Sequence, residues 1–447
     1  MNIDSNLKST DLKSSLDRLF SLAEQKILDL DRSWDTSRGA PVFTVQGKYT
    51  ARGWTEWTQG FQYGCAILTF DATNNRQLLE LGRTRTRDLM APHVTHIGVH
   101  DHGFNNLSTY GNLRRLMREG RIKQDPWENS FYEMAIKASG AVQAARWSNT
   151  FDGLGYVYSF NGPHSLFVDT MRTLRIMGVA HQLGHVLMGE NDARVNLLDR
   201  AVTHALATAK YICFDGTSEH TYDVRGRTAH EALFNRNDGR FRARSTQQGY
   251  SPFSTWTRGL AWATLGYAEQ LEFYRALPGN PVDAKTIATL EQTARNVCDH
   301  YIDDCAATDG IVYWDDGAPG LAKMENWRGK PADPFNDYEP VDSSASAIAS
   351  QGLLRLGRYL NHERYTQAGL AVARTLLSDA YLSRDPNHQG LLLHSVYHRP
   401  NNWDYIPPRR KVPCGESSMW GDYHLLELAV YLQRLANNGP YLAFFDQ

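Results

Sequence analysis

The sequence predicts an all-α fold, an (α/α)6 barrel in which six helical hairpins place one ring of helices inside another. Three observations lead to this prediction. The dominant hydrophobic period along the 447 residues is helical. Two kinds of helical segment alternate along the chain, one amphipathic and charged, the other rich in Gly, Ala and Ser. The segments share no repeat at a fixed period, which disfavours a helical solenoid, the main alternative.

The charged segments are predicted to form the outer ring. Residues 12–30 illustrate the pattern, because Leu12, Leu16, Leu19 and Leu30 lie on one apolar stripe with Asp, Lys and Glu opposite. A helix of this kind buries one face and exposes the other. Further segments of this kind lie near 74–90, 128–147, 192–212, 284–307 and 362–383.

The small-residue segments are predicted to form the inner ring, because a helix that is apolar around most of its circumference must be buried around most of it. Small side chains also let helix backbones approach closely. An inner ring of this kind would point its helix N-termini, with their partial positive charge, toward one mouth, which suits an anionic ligand. These segments begin near residues 57, 100, 164, 255, 342 and 418.

Composition narrows the function classes. No Pro/Ser-rich linker divides the chain, so we expect a single domain over residues 1–447. A net charge of −2 with scattered Lys and Arg argues against nucleic-acid binding. No apolar stretch is long enough for a signal peptide or a membrane span, which predicts a cytoplasmic protein. The five cysteines lack CxxC spacing, so we expect reduced core residues rather than disulfides or a zinc site.

A stretch of four histidines surrounds one aspartate early in the chain. The HxH spacing of His100 and His102 could bind zinc, provided that other segments supply further ligands. Alternatively, Asp101 caps the helix that follows, since Asp is a favoured N-cap. The spacing leaves both interpretations open. The other two histidines are His93 and His96.

The stretch 162–175 places a carboxylate inside an apolar segment that we expect to be a helix beginning after a Gly-Pro pair. Asp169 could form an exposed pair with Arg172 at i+3, which contributes ~0.2–0.5 kcal/mol. Alternatively, Asp169 belongs to a narrow polar strip that faces the barrel cavity. The inner-type composition of the segment favours the cavity.

The motif STWTRGLAW places Arg258 and Trp262 at i and i+4, on one face of a helix. A guanidinium beside an indole can hold a sugar carboxylate while the ring covers the pyranose face. A structural cation–π stack explains the pair equally well.

Further along, the basic run PPRRK at 407–411 could contact an acidic leaving sugar at the mouth of the barrel, or could be a solvated loop.

Several motifs occur together and span nearly the whole chain. They are WTQGF (57–61), HDHGF (100–104), SLFVDTM (165–171), EHTY (219–222), QGY (248–250), STWTRGLAW (254–262), DSSASAIASQGLL (342–354) and ESSMWGDYHLLELA (416–429). In this combination and order they resemble the unsaturated glucuronyl hydrolases, glycoside hydrolase family 88. The resemblance implies a barrel of six α/α hairpins, in agreement with the periodicity.

The resemblance also implies an activity, the hydrolytic release of 4,5-unsaturated uronic acid from the non-reducing end of lyase-generated oligosaccharides, without a metal or other cofactor. Asp169 matches the general acid/base, which we expect to enter the reaction protonated, and Asp101 matches a second essential carboxylate that raises the pKa of Asp169. A pair with Arg172 would lower that pKa, so we expect the side chains of Asp169 and Arg172 to lie apart. The matched pocket positions are Trp57, His100, His220, Gln248, Arg258 and Trp262.

Two departures from the family pattern leave the leaving-group sugar open. Leu260 stands where Gln is common, and the segment 223–247 is longer and more charged than the pattern. Three other functions remain alternatives: a rhamnogalacturonyl or intact-glucuronide hydrolase on the same scaffold, a metal-dependent hydrolase built on the histidines, and a carbohydrate-binding barrel without catalysis. The sequence indicates no oligomeric state.

Overall fold

Two rings of helices make up the structure, a computed structural model that describes residues 1–53 and 57–447. Each small-residue segment supplies an inner helix and each charged segment an outer helix, so the predicted (α/α)6 barrel is confirmed. The inner ring consists of Gln59–Thr73, the series His102–Asn106, Leu107–Gly111 and Asn112–Arg118, the series Thr170–Thr173 and Arg175–Gln182, Thr257–Ala276, Ser343–Leu360 and Met419–Ala436. The outer ring consists of Lys13–Ser33, Arg76–Leu89, Pro126–Ala145, Leu197–Tyr211, Ala284–His300 continuing into Tyr301–Cys305, and Glu363–Leu376.

Local sequence sets where the outer helices begin. Four of them start after an Asn or Asp whose side chain accepts backbone N–H groups of the first turn, which would otherwise lack a partner. Asp125 accepts from two such groups, and proline follows it at the first helical position. The four capping residues are Asn75, Asp125, Asn196 and Asp283.

The inner ring closes through tight contacts at glycines. Each inner helix packs against the next, and Met419–Ala436 packs against Gln59–Thr73. At each of the six junctions one helix presents a glycine, where an added Cβ would lie only 2.2 to 3.1 Å from an atom of the neighbouring helix. A larger side chain would therefore push two helices apart. The six glycines are Gly60, Gly64, Gly103, Gly266, Gly352 and Gly421.

One inner helix begins later than its sequence predicts. Residues Ser165–Phe167 form a strand, not a helix, because they pair antiparallel with Glu231–Phe234. The Val168 N–H then donates to the carbonyl of His230 (3.0 Å), and the helix begins at Thr170. The partner strand lies more than sixty residues downstream, and it extends into a hairpin with Phe241–Ser245.

Other short antiparallel hairpins lie in the loops between the helices of the barrel. They are Pro41–Val45 with Lys48–Ala51, Trp147–Asn149 with Gly155–Val157, and Leu187–Met188 with Arg194–Val195. Among the described residues, no helix combines the length and the apolar character needed to cross a bilayer.

A buried cluster of ion pairs fills part of the barrel interior. Arg172 pairs with Glu269 (Nη1 to Oε2, 2.7 Å) and with Glu427, and all three side chains are at most 7% exposed. Arg175 contacts the same two glutamates, and Arg355 extends the cluster. Removing one member would leave its partners charged in a dry interior, so the cluster links four elements of the inner ring firmly.

Candidate active site

A pocket of about 780 Å³, including its open mouth, lies where the inner helices begin. That volume is in the range of small-molecule sites. Several of the residues that line it immediately precede or open an inner helix, so the helix N-termini point toward the pocket, as predicted. The lining residues are Trp57, His100, Asp101, Phe160, Asp169, Gln247, Gln248, Trp256, Arg258, Trp262, Tyr397, His398, Asn401 and Trp403.

Two carboxylates and one imidazole form the centre of this pocket. His100 Nε2 lies 3.0 Å from Asp169 Oδ1 and 4.0 Å from Asp101 Oδ1. The His100 side chain is 1% exposed, whereas that of Asp169 is 13% exposed toward the pocket. Phe160 and Phe167 pack against the imidazole and fix its orientation. The pocket therefore brings together the two carboxylates that the sequence singled out.

The three groups shift one another's pKa. Burial raises the pKa of Asp101 to about 6, with His100 opposing the shift and Asp169 adding to it. Burial would also raise the pKa of Asp169, but the charge and hydrogen bond of His100 outweigh burial and hold that pKa below its ordinary value. Burial lowers the pKa of His100, yet the two carboxylates overcome it and the pKa is raised.

The shifts therefore favour the protonated form of His100 and the ionised form of Asp169, whereas Asp101 takes up a proton below about pH 6. This corrects the expectation of a raised pKa at Asp169, because the sequence did not show that a buried imidazole lies within hydrogen-bond distance of Asp169. The other expectation about this carboxylate is confirmed: Arg172 is turned away and pairs with Glu269 and Glu427 instead.

Asp101 is not engaged as a helix cap. It stands at the N-cap position of His102–Asn106, but its side chain makes no capping hydrogen bond and faces His100 instead. The neighbouring histidines have structural partners. His102 binds Ser139 Oγ (2.8 Å) through Nδ1 and the His96 carbonyl (3.0 Å) through Nε2, and His93 binds Gln59. The zinc interpretation of this histidine stretch therefore finds no support in the described geometry.

Arg258 is a buried hub rather than an open anion receptor. Its two terminal nitrogens donate to Asp342 Oδ2 (2.7 Å), Gln248 Oε1 (3.0 Å) and the carbonyl oxygens of Val396 and Tyr397. Those four acceptors match the four N–H groups of the two nitrogens, so none is left for a substrate carboxylate. The guanidinium positions Gln248 and the loop that begins at Val396.

Tryptophans form part of the pocket wall. Trp57 stacks on Trp420 (5.0 Å between ring centroids) and presents its remaining surface to the pocket. Trp262 is nearly buried and packs against Phe104 (4.8 Å). The cation–π contacts of Arg258 are with Trp256 and Trp420, and not with Trp262 as the i, i+4 spacing suggested.

His220 does not reach the pocket, which corrects its prediction as a pocket residue. It lies exposed on a loop and stacks on Tyr222. His230, ten residues later, is buried beside Phe167, and its Nδ1 accepts the N–H of Gln247 (2.9 Å). His230 thus supports the loop that carries Gln248. The sequence signal that could have identified His230 was its position directly before the apolar strand Glu231–Phe234.

The loop 397–403 supplies pocket residues that the sequence analysis did not single out. Tyr397, His398, Asn401 and Trp403 line the pocket from this loop. Aromatics in a polar, Pro- and Asn-containing stretch just before an inner helix were the sequence signal. The basic run PPRRK lies outside the pocket lining, and its last residue pairs with an exposed aspartate.

The chain is similar over most of its length to curated proteins named unsaturated glucuronyl hydrolase. One from Formosa agariphila is 27% identical over 387 residues, which cover 85% of this chain and 80% of that protein. Another, from Bacillus sp. strain GL1, is 25% identical over 402 residues, 87% of this chain and 89% of that protein. The chain is a homologue of the unsaturated glucuronyl hydrolases. No protein-family model matches it.

A solved unsaturated glucuronyl hydrolase has the same fold. The crystal structure of the enzyme from Bacillus sp. GL1, described as responsible for the degradation of glycosaminoglycan, matches with a TM-score of 0.69 at 22% identity. The match covers 92% of this chain and 95% of the Bacillus chain. This likeness independently supports the helical barrel.

Proposed function

We propose that the protein is a glycoside hydrolase that removes 4,5-unsaturated uronic acid from the non-reducing end of lyase-generated oligosaccharides, with Asp169 as general acid/base. The observation that carries the assignment of the site is the cluster of the buried Asp101 and His100 with the pocket-facing Asp169, in a pocket formed at inner-helix N-termini. Such a pocket attracts an anionic sugar and holds a proton donor against it. Homology to the unsaturated glucuronyl hydrolases supports the substrate class.

The substrate is a vinyl ether, and its hydration leads to cleavage. A proton adds to C4, positive charge develops at C5 and the ring oxygen, and water adds to C5 while losing a proton to the carboxylate that acted as acid. The resulting C5 hemiketal opens to a ketone. The former ring oxygen then belongs to a hemiacetal at C1, whose collapse releases the leaving sugar as an alcohol.

The pKa order of the ligand-free pocket fits a proton that moves when substrate enters. A uronate carboxylate brings negative charge toward Asp169 and displaces water, and both effects raise the pKa of Asp169. His100 holds a proton 3.0 Å from Asp169 Oδ1 and can pass it across that hydrogen bond. Asp169 then donates to C4, while Asp101 accepts hydrogen bonds from the ring hydroxyls.

Gln248 is the proposed donor to the uronate carboxylate, in place of Arg258. Its Oε1 accepts from Arg258, so its amide N–H₂ group is the end left to donate into the pocket. Arg258 then contributes by fixing that orientation and by its positive charge. Trp57 and Trp262 are the proposed surfaces for the sugar ring.

The test uses Asp169→Asn, which keeps the shape of the side chain and removes its acid. We expect kcat to fall by roughly 10²–10⁴-fold, the usual contribution of general acid catalysis, with an unchanged circular dichroism spectrum. Turnover is followed as loss of the ultraviolet absorbance of the unsaturated uronide. Asp17→Asn, on the exposed face of an outer helix, is the control. Near-normal turnover by Asp169→Asn would remove Asp169 from the acid role.

A comparison of two substrates separates the alternative functions, with the products resolved by chromatography because a saturated uronide has no ultraviolet chromophore to lose. A matched pair of disaccharides, one unsaturated and one saturated at the non-reducing uronate, is offered to the wild-type protein. We expect turnover of the unsaturated sugar alone. Turnover of the saturated sugar would indicate an intact-glucuronide hydrolase, and binding of either sugar without turnover would indicate a non-catalytic barrel.

A further inference from the structure

A second cluster of chemically reactive side chains lies away from the pocket, at the end of the outer helix Ala284–His300. His300 and Cys305 meet Asp316 there, and one ligand atom from each residue lies within 4.8 Å of the other two. All three side chains are at least nine-tenths buried, since the side-chain exposures of His300 and Asp316 are 1% and 5% and Cys305 is 1% exposed. The proposed hydrolysis uses none of them.

The helix geometry is what puts His300 and Cys305 together. Five residues along an α-helix turn the chain by about 500°, which would leave the two side chains about 140° apart. The segment Tyr301–Cys305 is a π-type turn, which holds an extra residue per turn and brings Cys305 onto the face of His300. Such turns occur frequently at functional sites.

The surrounding hydrogen bonds leave the right atoms facing one another. His300 Nδ1 lies 2.9 Å from Asp304 Oδ2, which turns Nε2 toward Cys305 and Asp316. Asp316 Oδ1 accepts the N–H of Thr255 (2.6 Å), so Oδ2 is the oxygen that faces the imidazole. A carboxylate behind a histidine is the usual second partner of a zinc-bound imidazole.

The distances are close to those of a tetrahedral zinc site. Zn–N and Zn–O bonds of ~2.0 Å and a Zn–S bond of ~2.3 Å imply N···O and S···O edges of roughly 3.3 and 3.5 Å. The corresponding distances are 3.3 Å from His300 Nε2 to Asp316 Oδ2 and 4.0 Å from Cys305 Sγ to the same oxygen. Thr255 Oγ1, 3.0 Å from His300 Nε2, borders the fourth position.

We propose that His300, Cys305 and Asp316 bind one zinc ion in a structural site. Thiolate and imidazole ligands favour zinc over magnesium or calcium, which prefer oxygen ligands alone. The ion would tie the outer helix to the loop at Asp316, and through the Thr255 hydrogen bonds to the start of the inner helix Thr257–Ala276. The site would thus stabilise the helix that carries Arg258 without touching substrate.

Cobalt is the probe, because Co²⁺ occupies zinc sites and a thiolate ligand gives it a near-ultraviolet charge-transfer band. We expect the metal-free wild-type protein to develop this band and saturate at one equivalent, and zinc to abolish it. Cys305→Ser should lose the band. Cys298→Ser, a buried cysteine on the same outer helix, is the matched control and should keep it. A band of equal intensity in Cys305→Ser would overturn the proposal.

X-ray absorption of the zinc-loaded wild type keeps the proposal testable if a variant fails to fold. We expect one sulfur ligand at ~2.3 Å and nitrogen or oxygen ligands at ~2.0 Å. A shell without sulfur, or no binding at one equivalent of zinc, would mean that the cluster is held by hydrogen bonds alone. Neither measurement involves sugar turnover, so its failure is distinguishable from failure of the proposed hydrolysis.

Discussion

Replacing Asp101 by asparagine should lower the pKa of His100. The charge of Asp101 acts on His100 Nε2 across 4.0 Å, and the imidazole is buried. With an effective dielectric constant of ~20, two unit charges at that distance attract by about 4 kcal/mol, or about 3 pKa units at ~1.4 kcal/mol per unit. Water in the open pocket weakens this attraction, so we expect a downward shift of one to three units.

The assay is an NMR pH titration of the imidazole carbons. The protein has 16 histidines, so the His100 resonance is identified as the one missing in His100→Gln. Asp169→Asn should shift the same resonance further, because its carboxylate lies at 3.0 Å and is hydrogen-bonded. Asp17→Asn, far from the pocket on an exposed helix face, should leave it unchanged.

A shift below about half a unit in Asp101→Asn would refute the electrostatic account of the site, because a buried charge at this distance would then be almost fully screened. The account also fixes the sign of the pH dependence. The pKa of His100 is raised above its ordinary value, so the imidazole keeps its proton to a higher pH than an ordinary histidine and loses it as the pH rises through that raised pKa. If His100 supplies the proton for Asp169, kcat/KM of the wild type falls on the alkaline side.

Three further changes test other parts of the site and the barrel. Gln248→Ala should raise KM at least tenfold with a smaller effect on kcat, since it removes the proposed donor to the substrate carboxylate; equal losses in both would place Gln248 in the chemical step. Arg172→Met should lower the free energy of unfolding by about 3–5 kcal/mol in urea titrations because it leaves two buried glutamates with one positive partner fewer, whereas Arg364→Met, at a half-exposed pair, should cost no more than ~1 kcal/mol. His220→Ala should leave steady-state kinetics unchanged, whereas His230→Ala should raise KM by displacing the loop that it holds; the reverse result would contradict the pocket described above.

The barrel was predictable because its information is local. Each helix is predicted by the hydrophobic period over a few turns of its own sequence. The alternation of charged and small-residue segments then distinguishes outer from inner helices. The strand Ser165–Phe167 was not predictable in this way. Its apolar run fits a helix equally well, and only pairing with Glu231–Phe234 decides the outcome.

The sequence predicted which residues form the site, but it did not predict their pKa values. Asp101 and Asp169 stand out by motif, yet their pKa order depends on the 3.0 Å approach of His100, which no spacing encodes. His220 and His230 lie ten residues apart in one polar stretch. Only His230 is buried, because the strand that follows it pairs with Ser165–Phe167 in the interior. Arg258 lies in the predicted pocket, but the loop at Val396 and Tyr397 occupies its donors.

The glycines between the inner helices limit how the protein can meet a polymer. Because those helices pack closely at their glycines and the ion-pair cluster is buried between them, we expect the barrel interior to be closed on the side away from the pocket. A saccharide chain can therefore insert its terminal unit but cannot thread through. Both fragments must leave through the opening by which the substrate entered. The protein therefore releases the oligosaccharide after each cleavage, and the enzyme would shorten many chains evenly instead of degrading one chain to its end.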